Sequence, residues 1–335
     1  MGPEAIVAEP SVTTITVVIP TYQRKDRLAR VLEGLSRQTY PDFDVVVVDD
    51  GSTDGTSRYL REARFPFQVR AISQLNAGPA AARNAGVAAA TGEIVLFLDD
   101  DVLPGPELVG EHLRAQAAEP RCAVMGPLGS LPRYSQPWVA WEQAMLEEQY
   151  GAMRRGEWEP TFRQFWTGNA SVAREEILAA GGFDPAFRRA EDVELAARLA
   201  RRGVCFRFHP AARTEHAAER TLDSWCAMHL AYGRLERRIF AHLGEGHALT
   251  TLADNWARLH PATRSLVRAC LGSEIVRAAA IAALRGMLQA SRIAPASWVA
   301  RRACSALANV LYWSGAHEAM GAQGFREMVG RAATA

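Results

Sequence analysis

Apolar residues follow two rhythms along this 335-residue chain, and the change between them divides it. In the first two thirds, short apolar runs alternate with stretches of helical spacing. Residues 15–19 (closed by Pro20), 45–48 and 94–98 read as strands buried on both faces of a sheet, and 67–72 as a weaker one. Between them Leu28, Val31, Leu32 and Leu35 recur at helical intervals, and residues 79–90 are alanine-rich with Pro79 in the first turn. Thr53 or Asp54 is placed to cap a further short helix. Strands alternating with helices in units of this length predict an α/β fold around a parallel sheet with right-handed crossovers.

A helix is expected over 106–119 and a strand over 122–125, after which the pattern loosens. Residues 126–160 are rich in Pro, Gly and aromatics, including Trp138, Trp141 and Trp158. They suit a substrate-facing insertion or packing between two domains. A strand over 165–172, a short helix over 174–180 stopped by Gly181-Gly182, a helix over 191–202 and a final strand over 204–208 follow. The 191–202 helix is well marked, with acidic residues in its first turn and Arg201-Arg202-Gly203 at its end. From about Leu222 the strand rhythm is gone. Residues 252–259, 265–288 and 297–313 read as amphipathic helices, the last capped by Ser297. The expected organisation is a flexible leader (1–13), an α/β domain (14–225) and an α-helical C-terminal region (226–335).

Composition changes this picture little: 48% hydrophobic and 22% charged residues are ordinary for a globular chain. The net charge of +1 is unevenly spread. From residue 231 onward there are 13 Arg against 6 Asp and Glu, a net of +7, which leaves −6 for the first 230 residues. The tail therefore suits anionic surfaces, although a solvated helical surface has the same composition. One face of 265–288 carries Ile275, Val276, Ala279 and Leu284. A helical cap, a homodimer interface, an acceptor-binding arm and peripheral contact with a membrane all stay open for it. Five cysteines, odd in number and without CxxC spacing, fit a reducing cytoplasm with no disulfide framework. Residues 1–11 have neither a basic start nor an apolar core, so no signal peptide is expected, and no apolar stretch of the tail is long enough to span a bilayer.

The chemistry gathers at strand ends. The 94–98 run leads directly into Asp99, Asp100 and Asp101, and the 45–48 run into Asp49 and Asp50. In open α/β sheets ligands bind beyond the carboxyl ends of the strands. Three adjacent carboxylates repel one another, and a divalent cation or a basic group relieves that repulsion; a solvated acidic turn is the plainer alternative. Neither GxGxxG after the first strand nor GxxxxGK[ST] occurs, which disfavours dinucleotide-binding dehydrogenases and P-loop enzymes.

Eight landmarks stand in order: Pro20-Thr21-Tyr22; Asp49-Asp50-Gly51-Ser52; Asn76-Ala77-Gly78 with Arg83-Asn84; Gly92-Glu93 leading to the triplet; Gly168-Asn169; Gly181-Gly182-Phe183-Asp184; Glu191-Asp192; and His216. In that order they resemble the family 2 glycosyltransferases of the GT-A fold, over about residues 17–216. The resemblance implies a metal-dependent, inverting hexosyltransferase using a nucleotide-diphosphate sugar. Pro20, Thr21 and Tyr22 match the loop beside the base, Asp50 the carboxylate accepting a base N–H, and Arg83 a basic residue near the nucleotide. Asp99 and Asp100 match donor-contacting positions. Asp101 matches a ligand of Mn²⁺ or Mg²⁺, which His216 completes in some relatives. Asp192 matches the general base; Glu191 orients the acceptor or caps its helix. Trp166, Gly168 and Asn169 match the acceptor side. UDP is favoured, since a carboxylate suits uracil N3–H, with dTDP and GDP as alternatives. The acceptor is a glycan, a lipid-linked glycan, a small molecule or a peptide, and nucleic acid is not expected. A GT-A-shaped binding or scaffold protein without turnover is the alternative from another class. A sugar nucleotidyltransferase would want a Gly-rich loop that residues 20–25 lack.

Overall fold

The computed structural model describes residues 14–131, 134–293 and 297–332; the expected leader lies outside them. In chain order the first elements are β1 (Ile15–Thr21), α1 (Lys25–Leu35), β2 (Phe43–Asp49), α2 (Thr56–Glu62), β3 (Gln68–Ser73), α3 (Pro79–Ala89) and β4 (Ile94–Leu98). Next come β5 (Val102–Pro104), α4 (Leu108–Ala118), β6 (Cys122–Met125), β7 (Leu128–Ser130), α5 (Pro137–Arg154), β8 (Asn169–Ala173), α6 (Arg174–Ala179), α7 (Glu191–Arg201), β9 (Cys205–Phe208) and β10 (Thr214–His216). The C-terminal region holds α8 (Leu222–Ala241), α9 (Glu245–Ala257), α10 (Pro261–Gly272), α11 (Glu274–Ala290) and α12 (Trp298–Ala332).

Among the described residues the main sheet has seven strands in the order β3-β2-β1-β4-β8-β6-β9. It is mostly parallel and not wholly so: β8 runs antiparallel to both β4 and β6. Alternation along the strands sends side chains to two cores. Ile15, Val17 and Ile19 of β1 pack on the side of α1, while Val18, Val95 and Phe97 pack on the side of α3 and α7. Both faces are covered, which is why the strand sequences read as continuous apolar runs.

Three expectations need correction. Residues 126–160 are not loosely structured: α5 occupies much of the stretch, started by Pro137 at a first-turn position and burying Trp138, Val139 and Tyr150. The strand at 205–208 is not the last. The three-residue β10 follows it and forms a small second sheet, antiparallel to β5 and parallel to β7. The cysteines do not all stay reduced, because Cys122 of β6 and Cys205 of β9 stand opposite each other in register and form a disulfide, with Cα atoms 4.4 Å apart. Scattered spacing conceals a pair that sheet pairing brings together.

The helical region also departs in detail. The helix expected over 265–288 breaks at Ser273, whose Oγ accepts from Val276 N at 3.4 Å and starts α11. Ser297 caps α12 as expected, accepting from Ala300 N at 3.3 Å. Ile275 and Val276 are exposed while Leu284 packs inward, so the residues read as one face are divided. Helix α8 runs unbroken from Leu222 and crosses α12 at a glycine contact. A Cβ on Gly233 would meet Ala316 N at 2.8 Å and the Tyr312 carbonyl more closely still. That close crossing fixes where α8 presents Tyr232. Among the described residues no helix is long and apolar enough to cross a membrane.

Candidate active site

The carboxyl ends of β1, β2 and β4 converge on one edge of the sheet. They border a cavity of 480 Å³ lined by Pro20, Thr21, Tyr22, Asp50, Arg83, Asp99 and Asp100. Tyr22 is half exposed there, a ring free to cover a planar ligand. Asp50 is buried and already accepts from Gln74 Nε2 (2.7 Å), Ala77 N (2.9 Å) and Gly78 N (2.9 Å). Two carboxylate oxygens offer about four acceptor positions, so Asp50 orders the 74–78 loop and keeps room for one more donor. Asp49 accepts from Ser52 N and the Ser57 hydroxyl, and so orders the loop after β2.

The acidic triplet fans out in three directions. Asp99 accepts from Arg83 Nη2 at 2.8 Å. Asp100 accepts from the Thr21 hydroxyl (2.8 Å) and from Arg24 Nη1 (2.9 Å). Burial pushes its carboxyl up to about 6 despite the opposing pull of Arg24. Asp101 faces Arg24 at 3.0 Å, Arg27 at 3.5 Å and His216 Nε2 at 3.7 Å. The second sheet explains the last contact: His216 pairs with Val102, and Ala217 N donates to Asp101 O at 3.0 Å. Burial holds the His216 imidazole down to about 4, so it is neutral at ordinary pH with lone-pair capacity. A carboxylate oxygen and a neutral imidazole nitrogen side by side fit Mn²⁺ or Mg²⁺ that takes its remaining ligands from phosphate and water.

A second cavity, of 680 Å³, joins the first along Arg24, Arg83 and Asp99. Asp101, Trp166, Gly168, Glu191, Asp192 and His216 line it, so most of the expected site residues meet here. Glu191 is buried against Arg83 at 2.7 Å. Asp192 takes its own place in the first turn of α7. Burial, then the neighbouring Glu191, pushes its carboxyl up to about 7, with Arg83 pulling the other way. Gly168 sits so close to Asp99 that a Cβ there would lie 3.3 Å from the carboxylate. Asn169 is not brought to the cavity. It is buried, its amide donating to Pro127 O and Ala212 O and accepting at 2.8 Å from the His112 ring.

Several residues of this site were not found in the sequence. Arg24 borders both cavities and neutralises Asp100 and Asp101; the run Gln23-Arg24-Lys25 directly after a strand was its one signal. Trp141 and Glu142 of α5, and Met228, His229 and Tyr232 of α8, wall the second cavity opposite Asp192. Nothing local marks the α8 residues, which are set in place by the crossing of α8 on α12 at Gly233.

Residues 16–177 match the model of the family described as Glycosyl transferase family 2. Through these residues the chain belongs to that family. Among curated relatives, a validoxylamine A glucosyltransferase of Streptomyces hygroscopicus subsp. jinggangensis is 35% identical over 226 residues, covering 58% of this chain and 53% of the relative. The chain thus spans about half the length of the curated relatives it matches. Among solved structures, a mannosyltransferase of Pyrobaculum calidifontis in complex with GDP-Man and Mn²⁺ aligns over 99% of this chain and 90% of its own, at a TM-score of 0.54 and 21% identity. S. aureus TarS in complex with UDP-GlcNAc aligns over 94% and 92%, at 0.55 and 16%. At these identities the likeness speaks for the fold alone, the GT-A architecture that the family 2 landmarks implied.

Proposed function

We propose that this family 2 chain is a nucleotide-sugar-dependent, inverting glycosyltransferase. The observation that carries the reading is the junction of the two cavities. Residues suited to a nucleotide line one, a partly exposed carboxylate of raised pKa faces the other, and Arg24, Arg83 and Asp99 lie between. In this reading Tyr22 covers the base, Asp50 accepts a base N–H, and Arg24 faces the diphosphate. Asp99, held by Arg83, and Asp100, held by Thr21, contact the donor from the strand end. Asp101 and His216 are the residues that would hold Mn²⁺ or Mg²⁺, which supplies charge neutralisation for the leaving diphosphate. That one solved GT-A neighbour is a complex with Mn²⁺ supports the metal assignment.

Asp192 removes the acceptor proton as the acceptor oxygen attacks the anomeric carbon, with inversion. A carboxyl that titrates near neutrality suits a general base. Glu191 keeps Arg83 aligned and adds negative charge beside Asp192. Trp166 and Gly168 border the acceptor; Asn169 is left out of that role, since its amide is spent on the sheet interior. Residues 14–225 carry the donor and the base, and 226–335 carry a wall of the acceptor cavity. UDP is the favoured nucleotide, with GDP and dTDP the alternatives; the named neighbours include both UDP- and GDP-sugar complexes.

Thermal unfolding with UDP, GDP and dTDP, each with Mn²⁺ or with EDTA, tests the reading. A ligand at about 100 times its Kd stabilises the folded state by about 2.7 kcal/mol. A manganese-dependent rise in Tm with one nucleotide is expected. No rise with any of them would favour a scaffold protein.

A further inference from the structure

Beside Asp192 a smaller side pocket of 230 Å³ opens from the second cavity. Asp192, Ala190, Trp166 and Tyr232 line both spaces, so the pocket begins at the proposed base. Its walls are Phe162, Val193, Ile239 and Phe240, and the Phe162 and Phe240 rings meet edge-on at 5.7 Å. Of its polar groups Arg163 and Glu236 are paired with each other, while the Tyr312 hydroxyl is buried without a hydrogen-bond partner among the described residues. Arg163 Nη2 is 2.7 Å from Glu236 and its guanidinium lies 5.0 Å from the centre of the Phe240 ring. An anionic occupant would meet Arg163 already paired with Glu236, and a hydrated sugar ring would find only Asp192, the Tyr312 hydroxyl and few other groups in exchange for its water. A planar apolar group loses nothing and gains ring-edge contacts. An apolar cavity of about 150 Å³ already takes up benzene, so the size admits one substituted ring.

We propose that the acceptor is an aryl-bearing hydroxyl compound, whose ring enters this pocket while its hydroxyl reaches Asp192. The proposal rests on the reading of Asp192 as the general base. It places specificity jointly on α7, through Val193, and on α8, through Tyr232, Ile239 and Phe240. An acceptor of this kind is a small aromatic compound or its glycoside, and not a repeating polysaccharide.

The test uses two probes of equal polar part, phenyl β-D-glucopyranoside and methyl β-D-glucopyranoside, followed by saturation-transfer NMR and titration with the full chain. The aryl probe is expected to bind at least tenfold more tightly, with its ring protons taking up most of the saturation. Val193→Trp, which fills the pocket from α7, should abolish that preference. Ile239→Phe fills it from α8 and serves where the first variant does not fold. Equal binding of both probes, or an aryl preference that survives a folded filling variant, would overturn the proposal. The nucleotide–manganese thermal shift is read on the same samples. A missing aryl preference with that shift intact refutes the pocket assignment alone. An aryl preference without the shift supports the pocket and counts against the donor reading.

Discussion

Arg83 donates to Glu191 at 2.7 Å across 108 residues of sequence, a bond from the middle of α3 to the first residue of α7. The same guanidinium holds Asp99 with its other amino group at 2.8 Å. One buried cation therefore ties the end of the central strand to the helix that carries Asp192. Two nearby carboxylates hold its charge firmly in place, raising its pKa despite burial.

Removing that cation leaves buried carboxylates unmatched. Breaking such a pair from one side costs about 3–5 kcal/mol, so Arg83→Met should lower the unfolding free energy obtained from urea titration by that much, with a lower midpoint, and abolish turnover. Arg83→Lys keeps a charge but loses the fork that reaches two partners at once. It should recover most of the stability and little of the activity. Equal urea midpoints for Arg83→Met and the native chain would mean that the guanidinium is not organising the site.

Asp192 gives a pH prediction whose sign is fixed by the direction of its shift. Its folded pKa, about 7, lies above the ordinary carboxylate value. The folded chain therefore keeps a proton that the unfolded chain releases. Stability from this group is complete below the unfolded pKa, falls as pH rises towards about 7, and is constant above. Asp192→Asn removes the loss. The variant should be more stable than the native chain at pH 8, by on the order of 1–4 kcal/mol, and no more stable at pH 4. Catalysis moves oppositely: kcat/KM should rise with pH to a plateau above about 7, and Asp192→Asn should cut turnover by about 10²–10⁴-fold. A variant that is both more stable and nearly inactive at pH 8 is the signature to look for. A lower Tm at pH 8 would contradict the burial penalty.

The donor edge of the site is testable without an acceptor. Arg24 is shared by both cavities and faces Asp100 and Asp101. Charge-assisted hydrogen bonds contribute about 1.5–3 kcal/mol, so Arg24→Ala should weaken nucleotide binding by about 10–100-fold in titration calorimetry. Asp101→Asn and His216→Ala should instead remove the manganese dependence of that binding. Retained manganese dependence in both variants would move the metal away from this pair.

What the sequence disclosed and what it hid follow from how far each feature depends on distant pairing. The ends of β1, β2 and β4 were legible because a buried parallel strand writes its own apolar run, and the polar residue that ends the run is the one delivered to the ligand edge. His216 was assigned only by likeness, since β5, β7 and β10 are three residues each and exist only through pairing with one another. Asn169 was misplaced for the complementary reason. It stands in β8, where antiparallel pairing turns its amide inward to Pro127 and Ala212. Helix α5 was missed because Pro137 and its tryptophans resemble a loop, yet proline at a first-turn position is compatible with a helix. The Cys122–Cys205 pair and the α8 wall were invisible for lack of any local signal.

The α8 wall supplies the last prediction. Gly233 of α8 and Gly315 of α12 face each other's helices with no room for a side chain. A Cβ on Gly315 would lie 3.0 Å from Arg234 N and closer to the Leu230 carbonyl. Alanine gains about 1 kcal/mol over glycine in helix propensity, whereas overpacking against a rigid backbone costs typically 1–3 kcal/mol or more. The clash wins, because the atoms met are main chain and cannot swing aside. Gly233→Ala and Gly315→Ala should each lower stability and push α8 outward, carrying Tyr232 away from Asp192. Acceptor KM should then rise while the nucleotide–manganese shift persists, since no residue of α8 lines the nucleotide cavity. Gly286→Ala in α11 is the control: no atom lies within 4 Å of its added Cβ, and it should stabilise by about 0.5–1 kcal/mol. If all three alanine variants were equally stable, the helix crossing would not set the position of the acceptor wall.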